Sequence, residues 1–372
     1  MATIDYLVVG AGLTGSTIAR RLADAGRDVL VLDRRSHGGG NVHDTTTPSG
    51  LRIHTYGPHY FRCSSPRIWD FVRRFAAFRA FSPQIQCRIG DRFEPWPINR
   101  DHLGQFPDWK PPTSSVPPIH FEDACLRKMP RPLYERYILG YTRRQWGAAP
   151  DSLEASLARR IRINEPHQAT LTPQHRHQGL PEQGYAAFMQ AMLAGIDLRL
   201  HTDFQTSRHH YRIRKKLIFT GPIDEFFGFE HGPLQYRGQR RVHHTLPDTT
   251  FAQPCVQVNH PGAGEHHPIR TIEWKHLLPP DEQTAVTESV ITGEYPFSPT
   301  QPDQFEYPFP SAENRRLYRK YRDRATSTPG LMICGRLGEY RYLDMDQAIG
   351  RALRLADLLL KEPGTSSSGP PP

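Results

Sequence analysis

The chain has no run of the ~18 apolar residues that a membrane-spanning helix needs, and its mean hydropathy is −0.61. No membrane partner is expected. An apolar strand pattern already begins at Thr3, where a signal peptide would place charge and then a longer apolar run, so the expectation is a soluble, cytoplasmic protein. Cysteine is also sparse. The five residues Cys63, Cys87, Cys125, Cys255 and Cys334 never fall in a Cys-x-x-Cys spacing, which argues against a disulfide framework and a zinc ribbon and reads as reduced thiols. Acidic residues are outnumbered, 38 against 47 Lys and Arg, for a formal net charge of +9. Such a field attracts anions. The basic residues are dispersed in pieces such as Arg34-Arg35, Arg143-Arg144, Arg159-Arg160 and Arg315-Arg316 rather than gathered in one arm, so a dianionic small molecule is expected and nucleic acid is not. Metal ligands are not expected either: the histidine pairs at 209–210, 243–244 and 266–267 are adjacent, and neighbours on a strand point apart.

What the chain does have begins at its N-terminal end. Residues 3–9 read as a buried strand, 13–25 as a helix with apolar positions at helical spacing, and 28–32 as a second strand, which together make one βαβ unit of a parallel sheet. Between strand and helix lie Gly10, Ala11, Gly12, Leu13, Thr14 and Gly15, and Asp33 ends the second strand. Glycines there permit a tight turn and close backbone approach, the helix N-terminus faces a pyrophosphate, and a terminal carboxylate accepts from a ribose hydroxyl. Gly38, Gly39, Gly40 and Asn41 follow closely. Consecutive small residues suit a bulky cofactor held at backbone contact distance, which favours FAD over NAD.

Further along, the pattern is mostly helical from about 63 to 165, interrupted by the Pro-rich loop 107–118. Beyond 180 come a helix at 184–193, short strands at 197–201 and 216–220, and a final helix at 346–361 that returns to the nucleotide domain. The tail 363–372 has nothing to bury and is expected to be disordered.

Several segments, in order, resemble the UDP-galactopyranose mutase family: Val8-Val9-Gly10-Ala11-Gly12, Asp33 through Asn41, Tyr56-Gly57-Pro58-His59-Tyr60-Phe61, Trp96-Pro97-Ile98-Asn99, Gly140 through Gly147, Gly221 through Phe227, Arg270 through Lys275, and Gly335 through Asp346. The resemblance covers nearly the whole chain. It implies an α/β fold in three parts: a discontinuous Rossmann-like FAD-binding domain (1–62 plus about 180–235 and 328–362), a mainly helical domain (about 63–165), and an antiparallel β-sheet region carrying substrate residues (about 236–327), with a mobile loop at about 166–180 inside the polar 159–178 segment. It also implies a reduced flavin whose N5 attacks the anomeric carbon as the nucleoside diphosphate leaves, with no net redox, and hence an external flavin reductant. A homodimer is what bacterial members would suggest.

The same resemblance assigns site residues. Arg160 and Arg270 match diphosphate-gripping arginines, whose planar donors suit phosphate oxygens. Tyr307 and Tyr342 match tyrosines that hydrogen-bond that diphosphate, while Tyr141, Trp146 and Tyr137 wall the base and sugar. His59, Tyr56, Arg34, Arg336, Tyr342, Asp344 and Met345 fall at cofactor positions alongside the glycine fingerprint, and Asp344 and Asp346 can also cap the last helix. The absence of any Ser/His/Asp arrangement then has a reason, since the cofactor supplies the nucleophile.

The family's Gly-Pro-His-x-Phe-His becomes Gly57 through Arg62 here, so Arg62 replaces a histidine near the flavin. A substrate asparagine becomes Pro83, a tyrosine is missing around Ala169–Pro173, and a base-packing aromatic pair becomes Tyr137-Ile138. These departures cluster at the nucleotide and sugar, and point to a diverged mutase with a possible change of base or sugar. An FAD-dependent oxidase, or a flavoprotein that only binds nucleotide sugars, shares the nucleotide fold and stays open as an alternative.

Overall fold

The computed structural model describes residues 2–113, 115–167 and 170–361. The tail expected to be disordered, and Ala169 in the segment that lacks a family tyrosine, lie outside these residues.

The strand Ala2–Val9 is apolar on both faces toward its end, as a central parallel strand must be. It is flanked by Val29–Leu32 and Tyr211–Phe219, with Asp197–Arg199 and Leu331–Ile333 outermost, giving a five-stranded parallel sheet. The strand expected at 216–220 begins five residues earlier, because Arg212 and Arg214 alternate outward while Ile213 packs inward. Helices Leu13–Asp24 and Met345–Lys361 cover one face and pack Ile18, Leu22, Ala352, Ala356 and Leu359 against Val8, Val31 and Ile218. The last helix therefore packs back on the parallel sheet.

A second sheet of seven strands runs, edge to edge, Tyr307–Pro308, Tyr236–Leu246, Ser289–Phe297, Arg270–Glu273, Gln257–Asn259, Ile85–Ile89 and Arg92–Trp96. All neighbours are antiparallel except Gln257–Asn259 with Ile85–Ile89. The helical expectation for 63–165 is corrected here. Ile85, Cys87 and Ile89 alternate with polar residues at period two, and Gly90 (φ +57°) with Asp91 turns the chain into a hairpin that joins this sheet. One helix of that region, Pro66–Val72, precedes the hairpin; the others follow it, with Arg100–Gly104, Phe121–Leu126, Arg131–Tyr134 and Gly140–Trp146, the last two linked by a π-helical turn at Glu135–Leu139.

The loop expected at 166–180 is also shorter than its range. His177–Pro181 is a strand between Phe61–Cys63 and Phe78–Ala80. All five cysteines are free and buried. Among the described residues, no helix is long and apolar enough to cross a membrane.

Candidate functional site

Two cavities meet between the sheets. The first, about 210 Å³, lies at the carboxyl ends of the parallel strands and is lined by Gly10, Gly12, Leu13, Thr14, Asp33, Arg34, Gly39, Gly40 and Asn41 among others. It is built mainly from backbone. Gly10 sits at φ +102°, and a Cβ there would fall 2.1 Å from Thr220 Oγ1. Gly12 caps the twelve-residue helix without a side-chain bond, and a Cβ on it would meet nothing closer than 3.8 Å, so its open side is the cavity. The first N–H groups of that helix are thus available to an anion. Asp33 accepts from Ala11 N (2.7 Å) and Arg35 N (2.9 Å), which fixes the carboxylate at the strand end with lone pairs to spare.

Two predicted residues take other places. Gly15 does not line the cavity, because its Cβ position lies 2.0 Å from Gly10 O and its smallness lets the helix pack on the turn. Arg34 lines it with its guanidinium held by Glu225 (2.8 and 2.9 Å) and Asp203 (3.4 Å).

The second cavity, about 300 Å³, is built from side chains of segments far apart in sequence. It shares His59, Arg336 and Met345 with the first, so the two adjoin at those residues. Tyr56, Arg62, Tyr137, Tyr141, Trp146, Arg160, Arg270, Tyr307, Tyr342 and Asp344 line it too. Arg160 donates to Tyr342 Oη (3.0 Å) and lies 3.8 Å from that ring's centroid; Arg336 lies 4.9 Å from it, and the Tyr307 and Tyr342 rings stack at 5.9 Å. Cations over phenol rings are held there by the ring quadrupole without losing their N–H donors.

Behind Arg270 lies an ion-pair network that sequence reading missed. Glu294, 0% exposed, pairs with both Arg270 and Arg241, and Arg241 in turn grips Glu306 with two bonds (2.8 and 2.9 Å). Burial alone would raise the Glu294 carboxyl, but the two guanidiniums overcome it and hold the group below its ordinary range. Its sequence signal is an acid on the inward face of a strand, in step with Val290 and Thr292. Arg62 pairs with Asp344 at 3.3 Å. Across this cluster five arginines (62, 160, 241, 270, 336) face three carboxylates (294, 306, 344), and neither Arg160 nor Arg336 has a carboxylate partner among the described residues. The surplus is two positive charges, a match for a diphosphate diester.

At the junction, His59 Nδ1 donates to Gly57 O (2.7 Å), its backbone N–H goes to His54 Nδ1 (3.0 Å), and Tyr185 Oη binds its carbonyl (3.0 Å). Burial, with help from Arg336 and Arg241, pushes its imidazole down to about 4 against the opposing Gly57 bond. The ring is neutral at pH 7, with Nε2 carrying a lone pair.

The helical side of the cavity is largely aromatic. Trp146 packs edge-on against Phe309 at 6.0 Å, and Tyr137, on the π-helical turn, spends its hydroxyl on Glu94. Its ring edge, rather than its phenol, is what it offers a ligand. Flat aromatic walls stack on nucleobases without distinguishing them.

Residues 136–342 match the family model described as UDP-galactopyranose mutase, and residues 8–75 match the NAD(P)-binding Rossmann-like domain model. The relative described as "Probable UDP-galactopyranose mutase" of Klebsiella pneumoniae is 32% identical, over 96% of this chain and 94% of that protein. A dTDP-fucopyranose mutase of Escherichia coli is 28% identical, over 95% and 98%. A crystal structure of reduced UDP-galactopyranose mutase superposes with a TM-score of 0.75 at 16% identity, covering 97% of this chain and 94% of that one, and speaks for the fold.

Proposed function

The chain belongs to the UDP-galactopyranose mutase family, and from that premise we propose that it is a reduced-FAD-dependent isomerase interconverting pyranose and furanose forms of a nucleoside diphosphate sugar. The observation that carries this reading is the junction: a backbone-lined dinucleotide cleft adjoins, at His59, Arg336 and Met345, a cavity with a surplus of two positive charges. FAD fits the first cavity by its residues. Gly12, Leu13 and Thr14 would hold the pyrophosphate, Asp33 a ribose hydroxyl, and Gly39, Gly40 and Asn41 would leave room beside it. Reduced FAD, when bound, supplies the nucleophilic nitrogen that this chain's side chains lack.

The protein's own part is binding and electrostatics. Arg160 and Arg270, with the hydroxyls of Tyr307 and Tyr342, grip the diphosphate and stabilise the charge it gains on leaving. Glu294 and Arg241 keep the Arg270 fork aimed inward. Tyr141 and Trp146 wall the nucleoside, and closure of the aromatic end excludes water from an opened sugar. His59, neutral, offers Nε2 as an acceptor at the junction, and Arg62, tied to Asp344, adds positive potential that favours an anionic reduced cofactor. The substrate is a UDP- or dTDP-linked hexose, in keeping with the substrates named for the two relatives.

The test is anaerobic product analysis of dithionite-reduced and oxidised holoenzyme against UDP-, GDP- and dTDP-hexoses. An isomer of unchanged mass, formed only after reduction, is expected. Loss of two hydrogens from substrate in the oxidised run would instead make the protein an oxidase.

A further inference from the structure

One guanidinium near the site lines neither cavity yet holds residues of both. Arg241 has a side chain only 8% exposed, and all five of its N–H groups are spent within the protein. Nε donates to Glu294 (3.0 Å), Nη1 to Glu306 Oε1 (2.8 Å) and Gln239 O (3.3 Å), and Nη2 to Glu306 Oε2 (2.9 Å) and Tyr56 O (2.8 Å). No donor is left for a ligand. Its partners divide between the cavities: Glu306 lines the first, while Tyr56 and, reached through Glu294, Arg270 line the second.

Sheet register produces this arrangement. Arg241, Glu294 and Arg270 lie directly opposite one another on three adjacent strands, Tyr236–Leu246, Ser289–Phe297 and Arg270–Glu273, and so form one row across the sheet. The turn that carries His59 is laid on that row. A Cβ on Gly57 (φ +85°) would fall 2.3 Å from Glu294 Oε1 and 3.1 Å from Arg241 Nη2, so only glycine lets the backbone come this close. Gly57 O accepts from His59 Nδ1 (2.7 Å), and His59 lines both cavities. A planar fork sets the angles among all these partners, whereas an ammonium in its place would keep the charge and lose the geometry.

Resting on the mutase reading, we propose that Arg241 is a positioning residue that sets the diphosphate grip of Arg270 in register with the His59 turn at the cofactor end, touching neither substrate nor cofactor itself. The test is Arg241→Lys, purified as oxidised holoenzyme. Its charge is kept, so the field in both cavities changes little and the fork alone is lost. Two readouts are expected to move together: the absorbance maximum of the bound flavin is displaced with no ligand present, and the better-bound of UDP and dTDP, followed by tryptophan fluorescence, binds roughly tenfold more weakly. A change in one readout alone would overturn the inference by confining Arg241 to one end of the site. A lowered melting temperature with both readouts unchanged would overturn it too, leaving the row a structural feature only. If that variant does not fold, Gly57→Ala intrudes on the same contact from the side of the turn, and the same paired change is expected, with the same outcomes against it. Parent holoenzyme that binds neither UDP nor dTDP would strike the mutase reading itself, an outcome visible before any variant is made.

Discussion

The two halves of the site are made of different material. The dinucleotide cleft is shaped mainly by backbone between Gly10 and Asn41: Gly10, Gly12, Gly39 and Gly40 leave space, one helix N-terminus supplies donors, and Asp33 closes the end. The second cavity is shaped by side chains drawn from the seven-stranded sheet, the helical region and the loops beside them, and its positive surplus survives because buried carboxylates neutralise only part of it. A cleft of glycines is damaged by adding atoms, whereas a cavity of ion pairs is damaged by taking them away.

That contrast can be broken by substitution. Gly12→Val fills the open side of the cleft, where the nearest heavy atom to a Cβ is 3.8 Å away. The folded protein should be recovered with its far-UV dichroism intact but without bound flavin; purification with full flavin content would contradict the cleft assignment. Glu294→Ala acts the opposite way, leaving Arg270 without its carboxylate and Arg241 with Glu306 alone. Removing one partner of a buried ion pair costs about 3–5 kcal/mol, measured as a shift in the denaturant midpoint. Arg160→Ala and Arg270→Ala should each cost ~2–4 kcal/mol in kcat/KM, the scale of one deleted oxyanion donor, with folding retained. Near-normal kinetics in both would mean that the anion site lies elsewhere.

The smallest effect concerns pH. His59 is held down at about 4 and ordinarily titrates near 6.5, so below pH 6.5 the unfolded chain takes up a proton that the folded protein refuses. Its contribution is fully present above 6.5 and is lost as pH falls toward 4, by about 1–3 kcal/mol. His59→Gln should flatten that part of the stability profile relative to the parent. Identical profiles from pH 7 to 4 would show that the ring is more hydrated than its surroundings imply.

The same contrast governs how much the sequence disclosed. The βαβ unit, the helix at 184–193 and the final helix were legible because their apolar spacing is local and their caps and glycines are adjacent. The motif residues Arg160, Arg270, Tyr307 and Tyr342 were singled out from separate segments, and the structure brings them to one cavity. What joins them was not legible. Arg270 meets Glu294 because the strand Arg270–Glu273 lies beside Ser289–Phe297, and strand order is not written in any one segment. The hairpin Ile85–Trp96 carried its own period-two signal, overlooked against the helical pattern around it.

The central claim is that the two cavities form one site at His59, Arg336 and Met345. The most direct test is the visible absorbance of the bound flavin in oxidised holoenzyme as UDP-galactopyranose or dTDP-fucopyranose is titrated in, with tryptophan fluorescence reporting occupancy of the aromatic end. The account predicts a saturable flavin perturbation that tracks occupancy and weakens in Arg270→Ala. Full occupancy by either sugar with an unchanged flavin spectrum would contradict it.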